Sequence, residues 1–525
     1  MKIMLINPPY QTLTSNLGVG HQVPLGLLAV GGALLDAGFE VELLDAEARH
    51  LSVEWIASEV VRRGPEVVMT GHAGSTPAHP VCMEMLRGIK AAVPRVVTVY
   101  GGVFPTYHAP AVLRDQVCVD VIVRGEGEAT AVELVGALAR GFATLPMVRG
   151  ISFRVGDEVV QTPERDVIPT AGVRALCESP PVAATLDSYR VGWELIEDWD
   201  LYQCFGLGRA AIVQFSRGCP HRCTYCGQHG FWSKWRHRDP VRVADEIAWL
   251  ARERGVRFVT LADENPTTNK ALWRKLLEEL AARRTGVQLF ATIRATDIVR
   301  DADMLDLYKR AGILYVLLGI DTTDPEIQVR VNKRSTMAVD GEACRLLRRH
   351  GIRSIAAHIV GLGDETWADF RRARRVLSAY DADLLNVMYA TPHSWSKFAE
   401  ESAGRLLVQE DQSKWDYRHQ VLGQRRMSPS GLFAAVKWLE LVHHLHPKRL
   451  PRLVWCADGA MRRQFWWTQW RIGRVWVGEV WEFLVGVRFA RRPGRLGEWL
   501  KRNRVEEKRE ERVQVTVSRG TARVG

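Results

Sequence analysis

Short apolar runs alternate with amphipathic helical patterns along most of this 525-residue chain. In residues 1–145 the predicted strands include "KIMLIN", "EVVMTGH" and "RVVTVYGG", and helical patterns such as "GLLAVGGALLDAG" lie between them. Strands that are joined by helical crossovers run parallel to one another, because each crossover returns the chain to the same end of the sheet. The sequence therefore predicts a doubly wound, Rossmann-like α/β domain over residues 1–145.

A second strand–helix series occupies residues 206–395. About six candidate strands, among them "AAIVQFS", "RFVTLADE" and "YVLLGID", predict a partial or full β/α barrel. Residues 146–205 are predicted to be a connector that contains the hairpin "ISFRVGDEVVQTP". Residues 396–525 are dense in Trp and Arg and predict a helical C-terminal domain with a charged tail.

Composition limits the class of protein and its surroundings. With 46% hydrophobic and 25% charged residues the chain is typical of a globular protein. A net charge of +11 favours anionic partners such as nucleic acid, anionic lipid or carboxylate substrates. No secretion signal or long apolar span is apparent, and six of the nine cysteines are scattered singly. We therefore expect a cytoplasmic protein with reduced thiols.

Three cysteines stand within eight residues, in "CPHRCTYC": Cys219, Cys223 and Cys226. They follow a predicted strand, at the end where β/α barrels hold their chemistry. A structural zinc usually takes four ligands, and the fourth could come from His221, His229 or His237. Three thiolates on a four-iron cluster would instead leave one iron open to bind a substrate or cofactor. The spacing favours the iron–sulfur cluster, with zinc as the alternative.

The stretch "CPHRCTYC" resembles the CxxxCxΦC signature of radical S-adenosylmethionine (SAM) enzymes, with Tyr225 as the aromatic residue. The resemblance implies a [4Fe-4S] cluster on the three cysteines, whose open iron binds SAM. Reduction would then cleave SAM to a 5′-deoxyadenosyl radical. The resemblance also implies SAM contacts at two later strand ends, in "LADENP" and "LLGIDTTD": Asp263, Glu264, Asn265 and Asp321.

A doubly wound domain that precedes a radical SAM core resembles the cobalamin-dependent class of these enzymes. "NPPY" follows the first strand in place of the GxGxxG of dinucleotide-binding domains. The DxHxxG motif that supplies a cobalt-ligating histidine is absent from the same loop, so cobalamin is expected to bind without one from there. The resemblance implies that six residues at strand ends bind cobalamin: Ser75, Thr76, Gly101, Gly102, Gly125 and Glu126. The alternative role of the three glycines is to form tight turns between strands and helices.

Longer stretches, including "GGVFPTYH" and "IVQFSRGCPHRCTYCGQHGFWSKWRHRDPV", resemble the anaerobic magnesium-protoporphyrin IX monomethyl ester oxidative cyclases of bacteriochlorophyll biosynthesis. The resemblance implies an oxidoreductase that forms the isocyclic ring of protochlorophyllide from the 13-monomethyl ester, with oxygen from water. It also implies a tetrapyrrole substrate, reduced flavodoxin or ferredoxin as electron donor, and no nucleic-acid partner. The alternative is a cobalamin-dependent radical SAM methyltransferase acting on a bacteriochlorophyll precursor or another apolar substrate.

Aromatic and basic residues directly follow the cysteines. Trp232 and Trp235 could stack on a flat ring, and the basic run at residues 236–238 could pair with a carboxylate. A buried structural loop with solvated charges is an equally good interpretation.

Two further features leave alternatives open. Histidines on predicted strand-end loops could be axial ligands to magnesium or cobalt, although a lone histidine more often makes ordinary hydrogen bonds. These are His72, His79, His108 and His393. The Trp- and Arg-rich C-terminal region could make peripheral membrane contact, although core packing with a solvated face is the commoner role of such a stretch.

Overall fold

The computed structural model describes residues 1–12, 15, 18–72, 74–170, 185–228, 230–232, 234–447, 459–487, 489–490 and 493–503. His229 and residues 504–525 of the predicted charged tail lie outside these ranges. Among the described helices, none combines the length and the apolar character needed to cross a bilayer.

The first sheet has seven strands in the order β2-β1-β3-β4-β5-β6-β7. Its first five strands are parallel, which confirms the doubly wound prediction. They are β1 Lys2–Asn7, β2 Glu40–Asp45, β3 Val67–Gly71, β4 Val97–Gly101 and β5 Val121–Val123. The helices are Leu25–Asp36, Val53–Arg63, Ala78–Ala92, Val103–Asp115 and Gly127–Arg140.

The hairpin that the sequence assigns to the connector extends this first sheet. Its strands β6 (Ile151–Val155) and β7 (Glu158–Gln161) pair antiparallel, and β6 pairs antiparallel with β5. Ile151 and Phe153 of β6 are buried, so the hairpin also contributes to the core of the domain.

The second sheet has six parallel strands in the order β15-β14-β13-β12-β11-β8. β8 and β15 form its two edges, so the barrel is partial. The strands are β8 Ala210–Val213, β11 Phe258–Leu261, β12 Gln288–Ile293, β13 Ile313–Asp321, β14 Arg353–Val360 and β15 Leu384–Tyr389. The helices are Pro240–Glu253, Lys270–Arg283, Ala295–Arg300, Leu305–Arg310, Pro325–Arg330, Met337–Arg349 and Trp367–Tyr380.

Side-chain caps begin several of these helices where the sequence provides Ser, Thr, Asp or Asn. Thr366 and Asp369 form a reciprocal capping box at the start of Trp367–Tyr380. Asp239 precedes Pro240 at the first position of its helix and accepts the backbone N–H of Val241. Each cap accepts a backbone N–H that the first turn of the helix would otherwise leave unpaired, so the helix begins at a defined residue.

The C-terminal part is helical, as predicted. Its helices are Lys397–Glu401, Pro429–His444, Gly459–Val485 and Leu496–Asn503. Short 3-10 turns occur at Phe142–Met147, Leu186–Ser188, Trp193–Leu195, Trp199–Leu201, Pro266–Thr268, Ala302–Met304 and Gln412–Lys414.

One hydrophobic core runs through both sheets. It contains Leu28 and Leu134 of the first domain, Trp193 of the connector, and Val213 and Leu261 of the partial barrel. Because this core crosses the domain boundary, the first domain and the barrel are held in a fixed relation by apolar burial. The carboxyl end of β8 therefore meets the loops of the first domain at a defined place.

Candidate active site

The cluster loop, residues 218–235, is closed at its base by a two-stranded ribbon. β9 (Ser216–Arg217) pairs antiparallel with β10 (Arg236–His237). Gly218 leads out of β9 with φ +91°, and a Cβ on it would lie 2.2 Å from the carbonyl oxygen of Lys234. Only glycine fits there, since the two ends of the loop pass so closely.

The three predicted cluster ligands lie on this loop as half-buried thiols. The N–H of Cys226 donates to the carbonyl oxygen of Cys223 at 3.1 Å, which forms a tight turn. Burial raises the pKa of the Cys219 thiol, and the charge of Arg294 opposes that rise. Within the described residues no three His, Cys, Asp or Glu side chains converge as they would around one metal ion. A four-iron cluster places its thiolates farther apart, because each binds a separate iron, and three thiols on one loop fit that group.

Tyr225, the aromatic residue of the motif, is tied to the end of β13. Its hydroxyl donates to Oδ2 of Asp321, which also pairs with Lys333. Asp321 has φ +59° and is buried. Burial raises the pKa of Tyr225 well above its usual value, and the charge of Asp321 adds to the rise. Asp321 thus holds the cluster loop against the barrel.

Asp263 and Glu264, at the end of β11, hold the chain as it enters the cluster loop. Asp263 accepts the backbone N–H groups of Phe215 and Ser216 and the Ser216 hydroxyl. Burial raises the pKa of Asp263 to about 7. Glu264 accepts the N–H of Gly218 at 3.0 Å. Both carboxylates therefore position the backbone beside Cys219, and their contact with SAM stays a prediction.

Asn265 is engaged in its own turn. Its amide nitrogen donates to Thr268 at 3.1 Å, and its side-chain oxygen accepts from the hydroxyl of Thr267 at 3.0 Å. Its carbonyl oxygen accepts the indole N–H of Trp235 from the cluster loop at 3.1 Å. Asn265 thus supports the far end of the loop, and its contact with SAM stays a prediction.

Four of the six residues predicted to hold cobalamin lie at the carboxyl ends of β3 and β4. Gly71 and Gly101 are so close that a Cβ on Gly71 would lie 2.6 Å from the carbonyl oxygen of Gly101. Ser75 and Gly102 have φ +62° and +107°. Among the described residues, the buried Ser75 hydroxyl has no hydrogen-bond partner, whereas that of Thr76 pairs with His393. This bare backbone with an unpaired hydroxyl fits a cofactor that approaches closely.

The remaining two residues follow β5. Gly125 has φ +73°, with open space at its Cβ position, and its N–H donates to the Thr106 hydroxyl at 3.0 Å. Glu126 points elsewhere: its carboxylate accepts both Arg236, at 2.8 and 2.9 Å, and Arg217, at 3.1 Å. These ion pairs join the first domain to the ribbon under the cluster loop. A role of Glu126 in binding cobalamin stays a prediction.

The basic run after the cysteines is mostly structural. Arg236 is buried on Glu126, and Arg238 donates to Glu246 at 2.7 Å and to the carbonyl oxygen of Gln214 at 3.1 Å. The N–H of His237 donates to the hydroxyl of Thr170. These contacts match the buried-loop interpretation of residues 236–238.

The tryptophans of the cluster loop also have internal partners. Trp232 lies under the guanidinium of Arg217, 5.3 Å from its ring centroid, and Phe231 packs edge-on against the same indole. Trp235 contacts the ring of His237 at 5.3 Å. Trp232 nonetheless stays partly exposed, so stacking on a ligand remains a prediction.

Two of the predicted candidate histidines make their contacts within the first domain. Nδ1 of His72 accepts the N–H of Gly74 at 2.7 Å, and its Nε2 lies 3.9 Å from a carboxylate oxygen of Glu47. His79 stacks on Phe104 with centroids 4.2 Å apart, and burial lowers its pKa to about 3. Both rings are held by local partners, and axial ligation stays a prediction.

The other two histidines join the first domain to the segment after β15. His393 is within 2.9 Å of the Thr76 hydroxyl through Nδ1 and within 2.7 Å of the Tyr417 hydroxyl through Nε2. Burial lowers the pKa of His393 to about 4, so this ring is neutral at pH 7. His108 lies 2.7 Å from the Ser394 hydroxyl. Axial ligation by either also stays a prediction.

An aromatic stack that the sequence analysis did not identify connects the first domain to the cluster loop. Tyr107 and Trp395 stack with centroids 5.0 Å apart and planes 5° apart, and His393 lies on Trp395 at 5.0 Å. The indole N–H of Trp395 donates to the carbonyl oxygen of Gly227 at 2.7 Å, directly after Cys226. The only sequence signal was "HSW" after a predicted strand end.

Lys333 and Arg294 also reach the site without having been predicted. Lys333 is buried beside Asp321, and Arg294 at the end of β12 donates to the backbone carbonyl of Lys333. Arg294 directly follows β12, which was a signal available in the sequence, whereas Lys333 lies after the helix Pro325–Arg330.

Comparison with known proteins agrees with this architecture. The sequence model of the B12 binding domain matches residues 18–135, and that of the Radical SAM superfamily matches residues 213–377. The structure of the radical SAM methyltransferase TsrM from Kitasatospora setae, with cobalamin and a [4Fe-4S] cluster bound, has a TM-score of 0.65 at 18% identity. It covers 85% of this chain and 90% of its own. The predicted architecture is confirmed, and the cofactors are a [4Fe-4S] cluster, SAM and cobalamin.

Two curated relatives carry the same name. The anaerobic magnesium-protoporphyrin IX monomethyl ester cyclase of Synechocystis sp. is 42% identical over 93% of this chain and 94% of its own length. That of Cereibacter sphaeroides is 33% identical over 83% of this chain and 69% of its own. The chain belongs to the family of anaerobic magnesium-protoporphyrin IX monomethyl ester cyclases.

Proposed function

We propose that this radical SAM enzyme converts magnesium-protoporphyrin IX 13-monomethyl ester to protochlorophyllide without O2, taking the oxygen of the new ring from water. The observation that carries the proposal is the 42% identity to a curated cyclase over 93% of the chain. The structure supports it by placing the cluster loop beside the carboxyl ends of the cobalamin-type sheet. Trp395 spans that junction.

When bound, the [4Fe-4S] cluster, SAM and cobalamin would supply one-electron reduction, radical chemistry and cobalt chemistry. The chain itself supplies geometry. Cys219, Cys223 and Cys226 are the proposed ligands of the cluster. Asp263 and Asp321 hold the loop to two neighbouring parts of the barrel edge through buried hydrogen bonds. Such buried bonds resist movement of the loop, since breaking one leaves a polar group without a partner.

The proposed cobalamin cradle is formed by Ser75, Thr76, Gly101, Gly102 and Gly125. The Thr76–His393–Tyr417 chain joins this cradle to the segment after β15. Because His393 is neutral, it donates through one nitrogen and accepts through the other, which fixes the positions of both hydroxyls. We infer that these hydrogen bonds set the distance between the proposed cobalamin cradle and the cluster loop.

We also infer a one-electron donor of the flavodoxin or ferredoxin type, since the cluster must be reduced before SAM is cleaved. The half-buried cluster loop is open enough for such a donor to approach. A cytoplasmic location remains part of the proposal.

The test is an anaerobic assay with reconstituted enzyme, reduced donor, SAM and magnesium-protoporphyrin IX monomethyl ester in H2¹⁸O. We expect a product that has lost hydrogen and gained one labelled oxygen, detected by mass spectrometry. Cys223→Ala is the matched inactive variant. A product that gains a methyl group instead would overturn the cyclase proposal in favour of the methyltransferase alternative.

A further inference from the structure

The helix Gly459–Val485 buries a polar and aromatic face against the rest of the protein. Gln464 and Thr468 are buried on this face, and Gln464 donates to the hydroxyl of Tyr315 on β13 at 3.1 Å. Farther along, Phe483 stacks on Phe433 of the helix Pro429–His444, with centroids 3.9 Å apart. These contacts fix which side of the helix faces outward.

The outward side carries large apolar residues instead of the usual polar ones. Five of them lie along one side: Trp466 at 52%, Trp470 at 57%, Val477 at 61%, Trp481 at 68% and Leu484 at 72%. Their spacing keeps them on one stripe of the helix, because each lies close to a whole number of turns from Trp466. A stripe of this kind on an outer surface marks a site of interaction, since water exposure of three indoles is unfavourable. We call these five residues the tryptophan stripe.

Positive and negative charges lie on opposite sides of this helix. Arg462, Arg463 and Arg474 are exposed on the stripe side, and the guanidinium of Arg474 lies 4.9 Å from the ring centroid of Trp470. The acidic residues are paired on the inner side. Glu479 binds Arg418 and Lys437, and Glu482 binds Lys414 and His419. Among the described side chains of this helix, the charged ones beside the stripe are therefore all positive.

We propose that the tryptophan stripe docks this enzyme onto an anionic lipid surface, with the helix lying in the plane of the headgroups. Indole rings favour the boundary between headgroup and hydrocarbon, where the ring is buried and its N–H stays hydrated. Flanking arginines are attracted to anionic headgroups while their stems cover apolar surface. The exposed Trp and Arg residues are thus complementary to an anionic lipid surface, and the acidic residues of the helix point away from it. The inference stands independently of the proposed catalytic function.

The test is flotation of the reconstituted full-length protein with phosphatidylcholine vesicles that either contain or lack phosphatidylglycerol. We expect co-flotation with the anionic vesicles, weakened by high salt as the Debye length shortens from about 10 Å at 0.1 M to about 3 Å at 1 M. The double variant Trp470→Ser/Trp481→Ser should lose binding at least about tenfold. Arg474→Glu should lose more than the roughly fivefold expected for removal of one positive charge.

Trp55→Ser is the matched control, because Trp55 is 43% exposed on a helix of the first domain and should leave flotation unchanged. Circular dichroism and bound iron confirm that each variant is folded. Absence of flotation of the wild-type protein with anionic vesicles would overturn the proposal, as would undiminished flotation of the double variant. A dimer that forms in solution and dissociates in the double variant, without vesicle binding, would assign the stripe to a second copy of the chain.

Discussion

At the scale of single residues, the cluster motif is supported by partners far away in sequence. Tyr225 reaches Asp321, 96 positions later, and Asp321 in turn pairs with the buried Lys333. The family resemblance implied a SAM contact for Asp321 at a predicted strand end, and that contact stays a prediction. The sequence could not supply Lys333, because a buried ion pair depends on which loops the fold brings together.

The Tyr225–Asp321 bond can be tested alone. We expect Tyr225→Phe to keep the iron–sulfur cluster, because the thiolates are unchanged. It should lower the free energy of unfolding by about 1.5–3 kcal/mol, the usual contribution of a hydrogen bond to a charged group. Urea denaturation under anaerobic conditions measures the stability, and iron and sulfide content report the cluster.

Two control variants, Cys223→Ala and Cys118→Ala, show how much iron is lost with and without a proposed cluster ligand. The first removes a proposed ligand and should lose most of the iron, whereas Cys118 is buried in the first domain and its variant should retain it. If Tyr225→Phe loses as much iron as Cys223→Ala, the bond is needed for cluster assembly and the assigned role is wrong.

At the scale of elements, a buried ion-pair group joins the first sheet to the ribbon that closes the cluster loop. Glu126 and Glu128 begin the helix after β5, and they meet Arg217 of β9 and Arg236 of β10. All four side chains are at most 12% exposed. The family resemblance implied that Glu126, at a predicted strand end, binds cobalamin. Its partners lie about 90 to 110 residues away, so the pattern around Glu126 contained no signal of them.

We expect Glu126→Gln to lower the free energy of unfolding by about 3–5 kcal/mol, because it leaves buried arginine charge uncompensated. Urea denaturation measures this loss. Combining it with Arg236→Met should recover part of the loss, which a double-mutant cycle would quantify.

Glu133→Gln is the matched control for this ion pair. Glu133 lies on the same helix as Glu128 and pairs with Arg165, but its side chain is 49% exposed. Its substitution should therefore lower the free energy of unfolding by only about 0–1 kcal/mol. Equal effects of the two substitutions would show that the buried group does not join the domains.

At the scale of the whole molecule, the long C-terminal helix Gly459–Val485 is attached by charge as well as by packing to the segment that follows β15. His419 lies between Asp416 at 2.9 Å and Glu482 of the helix Gly459–Val485 at 3.3 Å. Burial opposes protonation of His419, but its bonds to Asp416 and Glu482 outweigh burial and raise its pKa to about 9. The charged imidazolium thus holds the helix that carries the tryptophan stripe.

This pairing predicts a pH dependence of stability. A histidine whose pKa is raised on folding stabilises the protein below its unfolded pKa of about 6.5 and loses that contribution as pH rises toward 9. We expect the free energy of unfolding to fall over this window by about 1–3 kcal/mol because of His419. Urea denaturation at a series of pH values measures it.

In His419→Gln that pH-dependent loss should disappear. The exposed His50 offers a control, since His50→Asn should leave the slope unchanged. A slope that persists in His419→Gln would assign the titration to another group.

The sequence by itself determined the local parts of this protein. Strand–helix alternation predicted both sheets, and the spacing of Cys219, Cys223 and Cys226 predicted the cluster chemistry, because both depend on neighbours within a few residues. Tertiary structure alone decided what those parts touch. It added the hairpin Ile151–Val155 and Glu158–Gln161 to the first sheet, placed Glu126 on two arginines, and laid Trp395 against the cluster loop. These contacts join residues about 30 to 170 positions apart. Such pairings are set by burial across the whole core, which no local pattern encodes.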